Sequence, residues 1–377
     1  MLRFRPDGTF RILLFGDLHE HADYAASPAF RDMQKLMNAA LDRDRPDLCV
    51  LLGDNCNVTW KEDPAGFAAM VRAVCAPIID RGIPFAPIMG NHEHDPGCDD
   101  AVVETYMQLP GCLMRNDAPG ITGAANYREL IYDAAGEAPR FCLWFIDSNN
   151  LYPDRAVSHY DIVYPDQIAW FERESAALRE RNGGRTLPSF VFQHTPVPEE
   201  YRLLRKAKWW ERPVSVKGYN TRSGTRYMLR PGCAGYLGEG PCAPDIGDGQ
   251  FESWQRVGGV LGAFFGHDHL NDFSGYADGI FLAQHKTAGF RAYTDGCRSC
   301  VRLLTLDQRN LTTFTQELQR FKDFGLKSES LGPILRTITD RQSINTKITC
   351  GALGGIAALA GAGVAIKKLT EVSRHEK

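Results

Sequence analysis

Seven residues of this chain have the chemistry of metal ligands and stand where short apolar runs stop. The run Ile12–Phe15 leads through Gly16 into Asp17 and His19, Leu48–Leu52 into Gly53-Asp54, and Ile83–Met89 into Gly90-Asn91-His92-Glu93. Phe190–Gln193 leads into His194, and Val260–Phe265 into Gly266-His267-Asp268-His269. Carboxylate, amide and imidazole donors together suit borderline divalent or trivalent ions such as Mn, Fe, Zn or Co. No cysteine belongs to the set, which argues against a structural zinc cage. Asp17, His19, Asp54, Asn91, His194, His267 and His269 are too many donors for one tetrahedral ion. Two ions about 3.5–4 Å apart, sharing a carboxylate, would use them all.

Donors so far apart in sequence need a scaffold that gathers them. Short runs rich in branched and aromatic residues and closed by glycine read as buried strands. Polar residues at the carboxyl ends of such strands meet in the crevice of an open α/β sheet. Ser27-Pro28 opens a helix with Phe30, Met33, Leu36, Met37, Ala40 and Leu41 at helical spacing, and Asp63-Pro64 opens another through Ile78. With the first three strands they form a βαβαβ half. Phe141–Ile146 reads as a further strand, and residues 167–181 as a helix that Asn182-Gly183-Gly184 closes. Residues 196–250 lose all periodicity and read as a cap over the site. Three later strands are expected at Gly279–Gln284, Val301–Leu306 and Leu311–Phe314, followed by helix or linker over 316–346.

The ordered blocks Asp17-x-His19, Gly53-Asp54, Gly90-Asn91-His92-Glu93, His194 and Gly266-His267-Asp268-His269 resemble the calcineurin-like metallophosphoesterase superfamily over roughly residues 10–315. The cap, Tyr164-Pro165-Asp166-Gln167, Trp170-Phe171 and His269-Leu270-Asn271-Asp272-Phe273 are most similar to the purple-acid-phosphatase-like branch of plants, fungi and their bacterial relatives. The resemblance implies a four-layer α/β (α+β) sandwich of two mixed sheets flanked by helices. It implies one metal held by Asp17, His19, Asp54 and His269, and a second by Asp54, Asn91, His194 and His267. It further implies a phosphoric ester hydrolase in which a metal-bridging hydroxide attacks phosphorus and His92 protonates the leaving group. The expected substrate is a small phosphomonoester or phosphodiester. Rival readings are a phosphodiesterase or nuclease, and a non-catalytic scaffold that retains the fold. Asn57 stands where purple acid phosphatases have a metal-bound tyrosine, so no purple colour is expected, and the Asp-Arg-Gly of serine/threonine phosphatases is missing.

Other features bound this reading. A net charge of −3 over 377 residues argues against a general nucleic-acid binder. Eleven scattered cysteines suit reduced thiols, with Cys297 and Cys300 as incidental neighbours. No apolar signal core precedes the first strand, which points to a cytoplasmic chain. His21 and His94 could contact substrate phosphate or be solvated. Arg202, Arg205, Lys206, Lys208 and Arg212 with Trp209 and Trp210 could contact phosphate or bases, or form an amphipathic cap helix covering the core edge. Glu239, Asp245 and Asp248 read as a solvated acidic loop or another cation site. Residues 348–366 carry no charge and lie between Lys347 and Lys367-Lys368, so 347–377 could attach the chain to a membrane or pack as a peripheral helix.

Overall fold

Alternating side chains decide where each strand goes. In Ser189–Gln193 and Val260–Phe265, Phe190, Phe192 and Phe264 point one way, and Val191, Ala263 and Phe265 point the other, all buried. A strand apolar on both faces must lie inside a layered structure. The computed structural model describes residues 1–332, 350–356, 359 and 361–362, and in it these strands sit at the middle of a sheet.

That sheet has seven strands, in the order Leu2–Arg3, Tyr127–Tyr132, Pro139–Phe145, Ser189–Gln193, Val260–Phe265, Ile280–Gln284 and Ser274–Ala277. A second sheet of five runs Phe314–Arg320, Cys300–Asp307, Thr9–Phe15, Leu48–Leu51 and Phe85–Pro87. Both mix parallel and antiparallel pairs. Phe314 of the smaller sheet meets Phe190, Phe264 and Phe281 of the larger at centroid distances of 4.8, 6.1 and 5.3 Å, an aromatic layer that joins the two.

Helices cover the outer faces. Pro28–Asp44 and Pro64–Ile79 carry the caps that the sequence predicts: Ser27 and Asp63 side chains accept the Phe30 and Gly66 N–H, each followed by proline. They connect Thr9–Phe15, Leu48–Leu51 and Phe85–Pro87, which are parallel neighbours. On the other side Pro165–Arg181 and Gln250–Val257 bury Trp170, Phe171, Phe251 and Trp254 in one cluster with Trp144, Val191 and Phe265. The result is the four-layer α/β sandwich of two mixed sheets.

The structure corrects three expectations. The segment 311–313 is a turn rather than strand, because Asn310 accepts the Thr312 N–H and hydroxyl. Residues 316–320, expected as helix or linker, instead complete the edge strand Phe314–Arg320, and the chain ties back at Ser328–Ser330, whose N–H and hydroxyl groups donate to Asp32. No amphipathic helix forms over 202–212. Pairing of Leu204–Lys206 with Leu229–Tyr227 takes the backbone groups such a helix would need, and only a short 3₁₀ helix, Trp209–Val214, follows. Most of 333–377 lies outside the described residues, and so does about half of the expected membrane segment 348–366. Residues 350–356 are helical, and no helix among the described residues is long and apolar enough to cross a membrane.

Candidate metal centre

All seven candidate ligands lie beyond the carboxyl ends of strands, from both sheets. Asp17, His19, Asp54 and Asn91 come from the five-stranded sheet, and His194, His267 and His269 from the seven-stranded one. Asp17, His19 and His269 place one donor atom each within 4.8 Å of one another, as do Asp54, His194 and His267. A third group, His19, Asp54 and His92, joins these two. Asp54 is the link: His19 Nε2 is 3.7 Å from its Oδ2, and His194 Nε2, from the second group, is 3.1 Å from the same oxygen. Asn91 Oδ1 reaches His194 Nε2 at 3.2 Å, which brings the amide into the second group.

Reaching these positions strains the backbone. Asp17, His19, Asp54 and His267 have φ of 54°, 48°, 50° and 75°, the left-handed region that costs a non-glycine residue about 1–2 kcal/mol. The cost is met by interlocking hydrogen bonds: Asp17 N–H to Gly53 O, His19 N–H to Asp54 O, and His267 N–H to the Asp17 carboxylate. Two glycines are required by close approach. A Cβ on Gly90 would stand 2.3 Å from Asp54 Oδ1, and one on Gly53, at φ +87°, would stand 2.7 Å from His194 Nδ1.

Tautomers are set from behind the ligands. His194 Nδ1–H donates to Leu52 O at 2.7 Å and His269 Nδ1–H to Tyr293 O at 2.7 Å, so both Nε2 atoms turn inward. His269 Nε2 then lies 3.0 Å from His19 Nε2, and His194 Nε2 faces Asp54 and Asn91 oxygens. Acceptors meeting acceptors at such distances need protons or cations between them. Burial pushes His19 down to about 3, His269 to about 4 and His267 well below the usual value, so these imidazoles are neutral, the form that binds metal. Burial raises Asp17 well above the ordinary carboxyl range. At Asp54 burial is outweighed by His194, which holds the carboxyl well below that range, and the same attraction lifts His194 to about 10. The donor set, with three neutral imidazoles, a shared carboxylate and a fourth imidazole whose proton a cation beside Asp54 would replace, fits a pair of divalent metal ions.

His92 sits at the rim, half exposed, with its ring centroid 5.4 Å from that of His19. Its backbone N–H donates to Asp54 Oδ1 at 2.9 Å, and Nδ1 meets Asp95 Oδ2 at 2.6 Å. Burial disfavours its charged form, but Asp54 and Asp95 together raise its pKa above the ordinary value.

The two histidines considered for substrate contact stand outside the donor groups. His21 is exposed and belongs to none of the donor groups. His94 has no nitrogen left over: Nδ1–H donates to Asp99 and Nε2–H to Asp147, each at 2.9 Å. The acidic trio is neither solvated nor gathered. Asp245 accepts from His159 N, Asn220 and Thr221, Asp248 from Val163 N and Gln250 N, and Glu239 from Leu270 N, with burial raising Glu239 to about 8.

Three supports escaped sequence reasoning. Glu93 is buried and accepts the N–H groups of Gly90, Asp54 and Asn55, so one carboxylate ties two ligand loops together. Tyr293 stacks on His269 at 4.0 Å and 5°, and Tyr160 meets His267 edge-on at 4.2 Å. Glu93 stood inside a quoted motif, three residues after Gly90, where an acid can reach back to the turn. The tyrosines carry no local signal.

The model of a family described as calcineurin-like phosphoesterase matches residues 10–271. The chain is similar to "Probable inactive purple acid phosphatase 28" of Arabidopsis thaliana, 26% identical over 322 residues that cover 78% of this chain and 73% of that one. It is 28% identical over 324 residues to "Probable inactive purple acid phosphatase 14" of the same plant, with the same coverage. It is 26% identical over 295 residues to "Phosphatase DCR2" of Saccharomyces cerevisiae, covering 72% of this chain and 46% of that one. Among solved structures, a dimetal phosphatase from Danio rerio aligns over 81% of this chain and 98% of its own, with a TM-score of 0.44 and 12% identity.

Proposed function

The chain belongs to the calcineurin-like phosphoesterase family of metal-dependent phosphoric ester hydrolases, and on that premise we propose that it hydrolyses a small phosphomonoester or phosphodiester. The observation that carries this reading is the meeting of two donor groups around Asp54 with His92 beside them. In this reading Asp17, His19, Asp54 and His269 would hold one ion, and Asp54, Asn91, His194 and His267 the other, from among Mn, Fe, Zn and Co. Such a pair supplies an activated water and neutralises charge on the phosphoryl oxygens.

The chain's own residues supply orientation and a proton. Glu93 fixes the turn on which Asn91 and His92 stand, relative to Asp54. Asp95 accepts His92 Nδ1–H, so the transferable proton rides on Nε2, and that proton goes to the departing ester oxygen. Half exposure lets His92 recover a proton from solvent.

The test is hydrolysis of aryl phosphate mono- and diesters by Mn-loaded protein. Activity should vanish on chelation. His92→Ala should lower kcat by about 100-fold with bound metal unchanged, and by less for esters whose leaving group is acidic enough to need no proton. A loaded protein that cleaves neither ester sinks the proposal and leaves the scaffold reading, the one favoured by the word "inactive" in the plant relatives' names. Faster cleavage of the diester moves the assignment to a phosphodiesterase or nuclease.

The eleven free cysteines support a reducing, cytoplasmic setting for the catalytic domain. Attachment through 348–366 stays part of the proposal. Sedimentation of the full chain with membranes, and its release by truncation at Lys347, would support it.

A further inference from the structure

The cap carries a surface that the hydrolytic reading does not use. Residues 207–215 cross from Leu204–Lys206 to Val216–Lys217 over the start of Arg226–Leu229, the strand between them. At the crest is the short 3₁₀ helix Trp209–Val214, with Trp209 79% and Trp210 57% exposed. Apolar burial was within reach, since Leu203, Leu204 and Val216 on either side are buried. Two neighbouring indoles left in water are a costly surface for a protein that has no use for them.

The crest is held rather than loose. Glu211 forks onto Arg205 at 2.7 and 2.6 Å and accepts the Lys208 N–H at 2.7 Å, and Arg226 bonds Ser215 at the far side. Its charge is one-sided. Between 205 and 217 the chain has Arg205, Lys206, Lys208, Arg212 and Lys217 against the single acid Glu211, although the whole protein is at −3. Glu211 is taken by Arg205. Lys206, Lys208, Arg212 and Lys217 are exposed and form no ion pair among the described residues.

We propose that this crest docks the protein on a membrane surface bearing anionic lipid headgroups. Indole rings, apolar in body and polar at one edge, settle at headgroup depth. Each lysine or arginine beside them adds attraction to an anionic leaflet. A nucleic acid fits less well: the rings stand at 90° to each other, so they cannot form one stacking floor, Lys208 Nζ lies 5.1 Å from the Trp210 ring, and the protein as a whole is acidic.

The test is co-sedimentation of the full chain with vesicles of phosphatidylcholine alone or mixed with phosphatidylserine. Lys347, Lys367 and Lys368 beside 348–366 would also feel headgroup charge, so the readout is the part of the phosphatidylserine increment that substitutions in the crest remove. That increment should be at least about 5-fold at low salt and should collapse at about 0.5 M salt. Trp209→Ser with Trp210→Ser, and separately Lys206→Glu with Lys208→Glu, should each remove most of it while hydrolysis in solution is kept. The proposal is overturned if wild type shows no increment, or if both double variants keep it. It is also overturned if single-stranded nucleic acid is bound and vesicles are not.

Discussion

The floor of the crevice and the cap beside it fix their side chains by different means. On the floor, four ligand residues stand on left-handed backbone at the ends of buried strands, and each loop is tied to another through backbone groups and the Glu93 carboxylate. In the cap no strand exceeds four residues. Its position comes from single polar side chains of neighbouring segments: Asn271 accepts the Gly238 and Glu239 N–H, Asp272 the Tyr236 N–H and Asp268 the Cys242 N–H. Strain can persist on the floor because many interactions over-determine it. In the cap each support acts nearly alone, so damage there should be local and graded.

The sharpest way to break this contrast is Gly90→Ala. Gly90 has an ordinary extended conformation, so alanine adds no backbone penalty, yet its Cβ would meet Asp54 Oδ1 at 2.3 Å and Glu93 Oε2 at 2.8 Å. One methyl group should therefore lower hydrolysis on the order of 1,000-fold, cut bound metal, and cost about 3 kcal/mol in denaturant unfolding. Near-normal metal content in this variant would mean that the floor is as adaptable as the cap.

A loss of stability that spares the metal donors is expected at the brace behind His92. Asp147 is buried and accepts His94 Nε2–H and the Ala124 and Asn149 N–H groups. Asp147→Asn leaves a buried imidazolium short of its counter-charge and should cost about 3 kcal/mol. The loss should depend on pH. Burial opposes both charges, but each group overcomes it for the other, so Asp147 is lowered and His94 raised well above its usual value. A lowered carboxyl stabilises the fold above the unfolded value near 4 and ceases to as pH falls through its folded one. A raised imidazole stabilises fully below the unfolded value near 6.5 and ceases to as pH rises through its folded one. The difference between wild type and variant should thus be greatest between about pH 4 and 6.5, as read from unfolding midpoints across pH.

The same contrast explains what could be read from the sequence. Strand ends such as Gly53-Asp54 and Gly266-His267 were legible because a buried strand is an unbroken apolar run and its ligand sits one turn beyond it. Both periodic helices were legible down to Ser27 and Asp63 as caps. Cap structure was not, since a strand such as Val216–Lys217 is too short to show a period, and Trp209-Trp210, which suited an amphipathic helix covering the core edge as well as a phosphate or base contact, stand exposed. The edge strand Phe314–Arg320 alternates only weakly because much of it faces solvent, which is why polar residues 316–320 read as linker. Tyr160 and Tyr293 reach the centre through tertiary folding alone.

Within the cap, Asp245 is the support to remove. Its carboxylate accepts from Asn220, from Thr221 and from the His159 N–H, which lies in the loop that sets Tyr160 against His267. Asp245→Ala should cost about 2 kcal/mol and raise KM several-fold. Metal content and kcat should hold, because none of the seven floor donors touches it. A fall in kcat without a change in KM would show that cap and floor are one unit.

The smallest effect is expected where the cap has no internal partner at all. Trp209 is 79% exposed, and its one ring contact among the described residues is with Trp210, at 5.6 Å edge to face. Removing so large a side chain from a packed position would cost several kcal/mol, but here there is almost no burial to lose, and Trp209→Ala should change unfolding free energy by less than about 0.5 kcal/mol and leave hydrolysis of soluble esters unaltered. Denaturant unfolding and steady-state kinetics on the single variant check this. A loss above about 1.5 kcal/mol would mean that the indole is buried against the rest of the chain in solution. The crest would then be part of the fold and not a surface kept for a partner.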